Sequence, residues 1–134
     1  MAVNLYRVIL PVRDIDRAAA FYAVVLGMPG QRVSAGRHYF DCGGTILACF
    51  DPQADGDGYV AQSNPEWLYF AVDDLERVFS ACQREGGRLT EETIHGDPAG
   101  KIVTRPWGER SFYVEDPFGN KLCFVDERTI FTGS

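Results

Sequence analysis

The groups best suited to chemistry in this sequence are the thiols of Cys42, Cys49, Cys82 and Cys123 and the imidazoles of His38 and His95. A thiolate is a nucleophile and a soft ligand, and zinc accepts sulfur and imidazole in sets of three or four. The spacing speaks against such a set. No CxxC pair occurs, and no local signature of a cysteine nucleophile is present. Asp51, Asp55 and Asp57 are spaced like the start of a calcium loop, but its closing glutamate is absent and no helix precedes it. The stretch therefore reads as a solvated linker. For the cysteines the expectation is free, buried thiols, small and weakly polar, with no disulfides.

The elements that must position these groups can be traced from periodicity. LYRVILPV (5–12) alternates like a strand, and DIDRAAAFYAVVLG (14–27) reads as a helix. Asp14 caps its start, Ile15, Ala18, Ala19, Tyr22 and Leu26 form its apolar face, and Gly27 ends it. Three short strands follow, QRVSA, RHYFD and TILACF, broken at Gly36 and at Gly43-Gly44. The order then returns with EWLYFAV (66–72) as a strand and DLERVFSACQREGG (74–87) as a helix. DPFG (116–119) is a type I turn by residue preference, joining strand SFYVE (111–115) to strand NKLCFV (120–125).

The return is a repeat. A shift of 60 carries Val12, Asp14, Arg17 and Gly27 onto Val72, Asp74, Arg77 and Gly87, and a shift of 74 carries Tyr39, Cys49 and Phe50 onto Tyr113, Cys123 and Phe124. The change of offset places a 14-residue insertion around TEETIHGDPAGKIVT (90–104), where a longer hairpin or loop is expected. The fold class is thus α+β, built from two βαβββ modules. Module 1 spans 1–51, a linker 52–64, module 2 65–127 and a tail 128–134, all within one domain.

Composition bounds what such a chain can do. With 134 residues, 46% hydrophobic and 24% charged, it can bury an ordinary core. A net charge of −6 disfavours a general nucleic-acid surface, which needs clustered Lys and Arg. No run of about 20 apolar residues could span a membrane. The start MAVNLYRVIL lacks the pattern of a secretion signal, so a cytoplasmic protein is expected.

The strings VRDIDRAAAFYAVVLG, VDDLERVFSACQREGG and PWGERSFYVEDPFGNKLCFV resemble the vicinal-oxygen-chelate superfamily. That group contains glyoxalase I, extradiol dioxygenases, fosfomycin-resistance transferases and bleomycin-resistance proteins. The resemblance covers about residues 5–127. It implies two modules curving into a mixed-sheet cup with helices outside, as a homodimer.

It also implies where metal ligands would lie: one early in the first strand of each module, one in each final strand. Carried over by position, these are Arg7 and Trp67, then Cys49 and Cys123. Strand parity puts Arg7 and Ile9 on one face and Val8, Leu10 and Val12 on the other. By the same argument Trp67, Tyr69, Cys123 and Val125 face the cup. Arginine and tryptophan have no lone pair to donate to an ion, so no metal and no cofactor are expected.

The resemblance, read with these residues, implies a metal-independent protein that binds a small, partly aromatic ligand for sequestration or antibiotic resistance. Arg7, Cys49, Trp67, Tyr69, Trp107 and Cys123 would line the site. Arg7 would grip an oxyanion or form a structural ion pair, and Trp107 in RPWGER (105–110) would be a lid or dimer contact, with Arg105, Glu109 and Arg110 solvated. Cys49 and Cys123 stay open as candidate thiolates. The alternative is a glyoxalase-, dioxygenase- or lyase-type enzyme with an atypical site.

Overall fold

The computed structural model describes residues 2–133. Its contacts divide the chain into two compact units, Met1–Asn64 and Pro65–Ser134. In the first unit β1 (Arg7–Pro11) leads into α1 (Ile15–Leu26), then β2 (Gln31–Ser34), β3 (Arg37–Cys42) and β4 (Thr45–Phe50). Asp14 accepts the Arg17 N–H at 3.0 Å, and Gly27 takes a left-handed φ of 73° to close the helix. The sheet order is β1-β4-β3-β2, parallel between β1 and β4 and antiparallel elsewhere. One face is packed by α1, whose Phe21, Tyr22 and Val25 are fully buried with Leu10, Val12 and Phe40. That stripe is rotated from the expected one, because Phe21 and Val25 go in where Ala19 and Leu26 are only half-buried.

The second unit repeats this plan. β5 (Leu68–Val72) precedes α2 (Leu75–Arg84), capped by Asp74, then the two-residue β6 (Arg88–Leu89). The insertion carries β7 (Thr93–Ile94), β8 (Asp97–Pro98) and β9 (Val103–Thr104). β10 (Arg110–Glu115) and β11 (Lys121–Asp126) finish the sheet, ordered β5-β11-β10-β6 with β9 also on β10. Both sheets are mixed and open, and the architecture is α+β. The helix-side core is aromatic: Phe70 stacks on Phe124, Phe124 on Phe112, and Phe79 meets Phe112 edge-on.

Two local devices set the geometry. β7 and β8 form their own hairpin, turning at His95 and Gly96 with φ of 51° and 85°. The DPFG turn forms as its residues dictate: Gly119 N–H donates to Asp116 O at 3.1 Å, and Asp116 Oδ1 accepts from Phe118 N and Asn120 N. Five residues, 116–120, separate the paired Glu115 and Lys121, against four, 42–45, between the equivalent pair Asp41 and Ile46.

That difference corrects the repeat. Tyr39 pairs with Ala48, whereas Tyr113 pairs with Cys123. Ala48, not Cys49, is therefore the partner in unit 1 of the place Cys123 holds in unit 2. Cys49 pairs with Leu10 and His38 instead, fully buried on the α1 side and opposite in parity to Arg7.

The linker also departs from expectation. Asp51 and Pro52 are buried, and Asp55 accepts from Ser34 Oγ at 2.8 Å and Gly36 N at 2.6 Å while facing Arg37 at 3.5 Å. At Gly36 a Cβ would sit 2.2 Å from Asp51 O, so this strand-to-strand turn and the 51–57 stretch are packed together. None of the four cysteines is in a disulfide; three are buried and Cys42 is half-buried. No helix among the described residues is long and apolar enough to cross a membrane.

Candidate ligand-binding face

In unit 1 the face away from α1 carries Arg7. Its guanidinium lies 4.8 Å from the Tyr6 ring centre and 5.3 Å from that of Tyr39, and donates to Tyr6 OH at 3.0 Å. Among the described residues it has no carboxylate partner, so Arg7 is an exposed cation held by two aromatic rings. Cys49 lies on the other side of this sheet, buried against the helix, and takes no part in that face. Its assignment to the site does not stand.

In unit 2 the face away from α2 carries Trp67, Tyr69, Tyr113, Cys123 and Val125. Trp67 is half-buried, meets Tyr113 edge-on at 4.9 Å, and lies beneath the Lys121 ammonium at 5.4 Å. Tyr69 remains 59% exposed, its ring 6.4 Å from Tyr113.

Cys123 is not open to a ligand. It is fully buried in a cluster with Ala99, Tyr113 and Val125, with Trp67 and Ile94 packed against it. Ala99 and Ile94 belong to the insertion, which covers the position. Burial pushes the Cys123 thiol up to about 12, against the pull of hydrogen bonds from Tyr113 and Ser111. The same burial raises the Tyr113 phenol. A thiol so placed is protonated at neutral pH and out of reach, so the structure does not support Cys123 as a nucleophile.

An open groove of about 390 Å³ lies beside this cluster, bordered by Tyr69, Ala71, Val125, Trp107 and Phe131. Residues 105–109 form the turn that brings Trp107 there. Arg105 N donates to Glu109 O at 2.7 Å and Gly108 N to Arg105 O at 2.9 Å, with Gly108 at φ 95°. Glu109 fixes the groove wall, one carboxylate oxygen accepting from Trp107 Nε1 at 2.7 Å and the other from Phe131 N at 2.9 Å. Glu109 and Arg110 are thus partly buried and bonded rather than solvated, Arg110 pairing with Glu76 at 2.6 Å. Arg105 is the larger departure, only 2% exposed. Nothing in its string marks it as buried; three of the four backbone oxygens that hold it come from the insertion and the fourth from β10.

The metal implied by the resemblance does not fit these residues. Its early positions hold Arg7 and Trp67, its late positions Cys123 and, by register, Ala48. A guanidinium, an indole and a methyl group cannot ligate, and the remaining thiol holds its proton. Among the described residues no group of three or more His, Cys, Asp or Glu side chains could hold an ion.

A family model described as the Glyoxalase/Bleomycin resistance protein/Dioxygenase superfamily matches residues 4–124. A lactoylglutathione lyase of Haemophilus influenzae is 24% identical over 145 residues, covering 98% of each chain. Among solved structures, the oxidase ChaP-H2 is 25% identical with a TM-score of 0.74, over 100% of this chain and 98% of that one. A glyoxalase/bleomycin resistance protein from Albidiferax ferrireducens T118 is 23% identical with a TM-score of 0.73, over 90% of this chain and 95% of that one.

Proposed function

The chain belongs to the glyoxalase/bleomycin resistance protein/dioxygenase superfamily, and on that premise we propose that it is a cytoplasmic, homodimeric binding protein that sequesters a small, partly aromatic molecule without a metal ion. The observation that carries this reading is the donor set. The positions from which relatives would coordinate hold Arg7, Ala48, Trp67 and a buried, protonated Cys123. What the chain offers instead is aromatic area with polar handles: Tyr6 and Tyr39 around Arg7, and Trp67, Tyr69 and Trp107 on unit 2. The homodimer rests on the tail, where Ile130 and Phe131 each stay 52% exposed.

The test pairs elemental analysis of the purified protein with a thermal-shift screen of aromatic small molecules. Substoichiometric metal and a stabilising ligand are expected. Tyr69→Ala should leave stability within about 0.5 kcal/mol, since its ring is mostly exposed, yet weaken that ligand by about 0.5–1.5 kcal/mol. About one transition-metal ion per chain, with binding lost on chelation, would overturn the proposal.

A second reading, a lyase or dioxygenase of the same superfamily, has the likeness to a lactoylglutathione lyase and to the oxidase ChaP-H2 behind it. Turnover of lactoylglutathione by the protein, with and without added divalent metal, decides between the two.

A further inference from the structure

A buried guanidinium usually has a carboxylate beside it, because removing the charge from water is costly. Arg105 has none among the described residues. Its Nε donates to Ser111 Oγ at 3.0 Å. The two terminal nitrogens donate only to backbone oxygens: Pro98 O at 3.1 Å, Ala99 O at 3.2 Å, Lys101 O at 3.0 Å and Ser111 O at 2.9 Å. Three of those four oxygens belong to one short stretch of the insertion, 98–101, and the fourth to β10. One side chain thus ties the insertion to the sheet, with the Tyr113 ring 5.2 Å from the guanidinium carbon.

The stretch it ties is the one that seals Cys123. Ala99 is fully buried in the Cys123 cluster, and its backbone bonds to both sides: Ala99 N to Glu92 O at 2.9 Å and Tyr113 N to Ala99 O at 2.8 Å. Gly100 is equally tight, since a Cβ there would lie 2.3 Å from Thr90 O. Without Arg105 the four carbonyl oxygens would lose their charged donor together, and the stretch would keep few bonds to the sheet.

We propose that Arg105 is a positioning residue that latches residues 98–101 over the packed Trp67–Tyr113–Cys123 cluster and thereby keeps that part of the face closed. The assignment goes beyond the ligand reading and its test needs no ligand, so either can fail alone. The geometry makes the thiols their own reporters. Cys123 lies under the latched stretch, while Cys82 is fully buried on α2, on the opposite side of the same sheet.

The experiment is timed alkylation of the native protein with N-ethylmaleimide, each cysteine quantified by peptide mass spectrometry, in wild type, Arg105→Met and Arg105→Lys. In wild type Cys42 should label while Cys49, Cys82 and Cys123 stay protected. In Arg105→Met the Cys123 rate should rise at least tenfold with Cys82 unchanged. Arg105→Lys, which keeps the charge and fewer donors, should fall between. Should Arg105→Met fail to fold, the lysine variant carries the test, with faster amide exchange at Tyr113 as its second readout. Equal acceleration of Cys123 and Cys82 would mean general loosening and overturn the latch, as would a Cys123 rate that does not move.

Discussion

Asp55 gives the sharpest quantitative expectation, because two readings of the same residue differ by a measurable amount. In a solvated linker its replacement would change stability by no more than about 0.5 kcal/mol. In the structure its carboxylate accepts from Ser34 Oγ at 2.8 Å and Gly36 N at 2.6 Å. Hydrogen bonds to a charged group contribute about 1.5–3 kcal/mol each, and partial exposure puts these at the low end. The Arg37 contact, long at 3.5 Å and partly solvated, adds no more than about 0.5 kcal/mol. Asp55→Ala should therefore cost about 2–3 kcal/mol, and Asp55→Asn, which keeps one acceptor for Gly36, roughly half of that. For a unit of this size that is a fall in Tm of roughly 10–20 °C for the alanine variant. Urea denaturation followed by circular dichroism, with calorimetry alongside, measures both. An alanine variant within about 0.5 kcal/mol of wild type would refute the claim that 51–57 is packed structure.

Phe124 lies at the centre of the stack with Phe70 and Phe112, so Phe124→Ala should cost about 3–5 kcal/mol, read by the same denaturation. Asp126 accepts from Arg128 through both carboxylate oxygens, which holds its pKa down at about 2, the Arg128 side chain being the main cause. Its folded pKa lies below its unfolded one, so its contribution is present above about pH 4 and disappears as pH falls towards 2. Asp126→Asn should be less stable than wild type at neutral pH and converge with it near pH 2, as thermal melts across that range would show; a constant difference would contradict the assignment.

Much of this was readable from residue order. Asp14 and Asp74 announce their helices, Gly27 ends the first, and the DPFG string forms the turn its residues prefer. These are local effects, settled by a few neighbouring atoms. What could not be read depends on counting across a gap or on distant partners. Between equivalent pairs the hairpin at 116–120 holds one residue more than the one around Gly43-Gly44, and that offset moved the equivalence from Cys49 to Ala48. Because strand faces alternate, that single step sent Cys49 from the open face to the helix side. Arg105 and Asp55 escaped for another reason. Both are charged residues in Gly- and Pro-rich surroundings, which reads as solvent. Arg105 is held mainly by backbone oxygens, which leave no trace in composition, and Asp55 by Ser34, Gly36 and Arg37, which lie about twenty residues away in the chain. Tyr113 was visible only as a repeat match, and its place between Trp67 and Cys123 needed the sheet.

The latch has a consequence for how this face can change. Arg105 reads main-chain oxygens and ignores the side chains of Pro98 and Lys101, so those two positions can vary without releasing the grip. Ala99, buried in the Cys123 cluster, and Gly100, pressed against Thr90, are the exceptions. The two exposed positions beside that cluster are thus open to substitution while the path of the backbone stays fixed, a separation of shape from chemistry that a designer of new specificity could use.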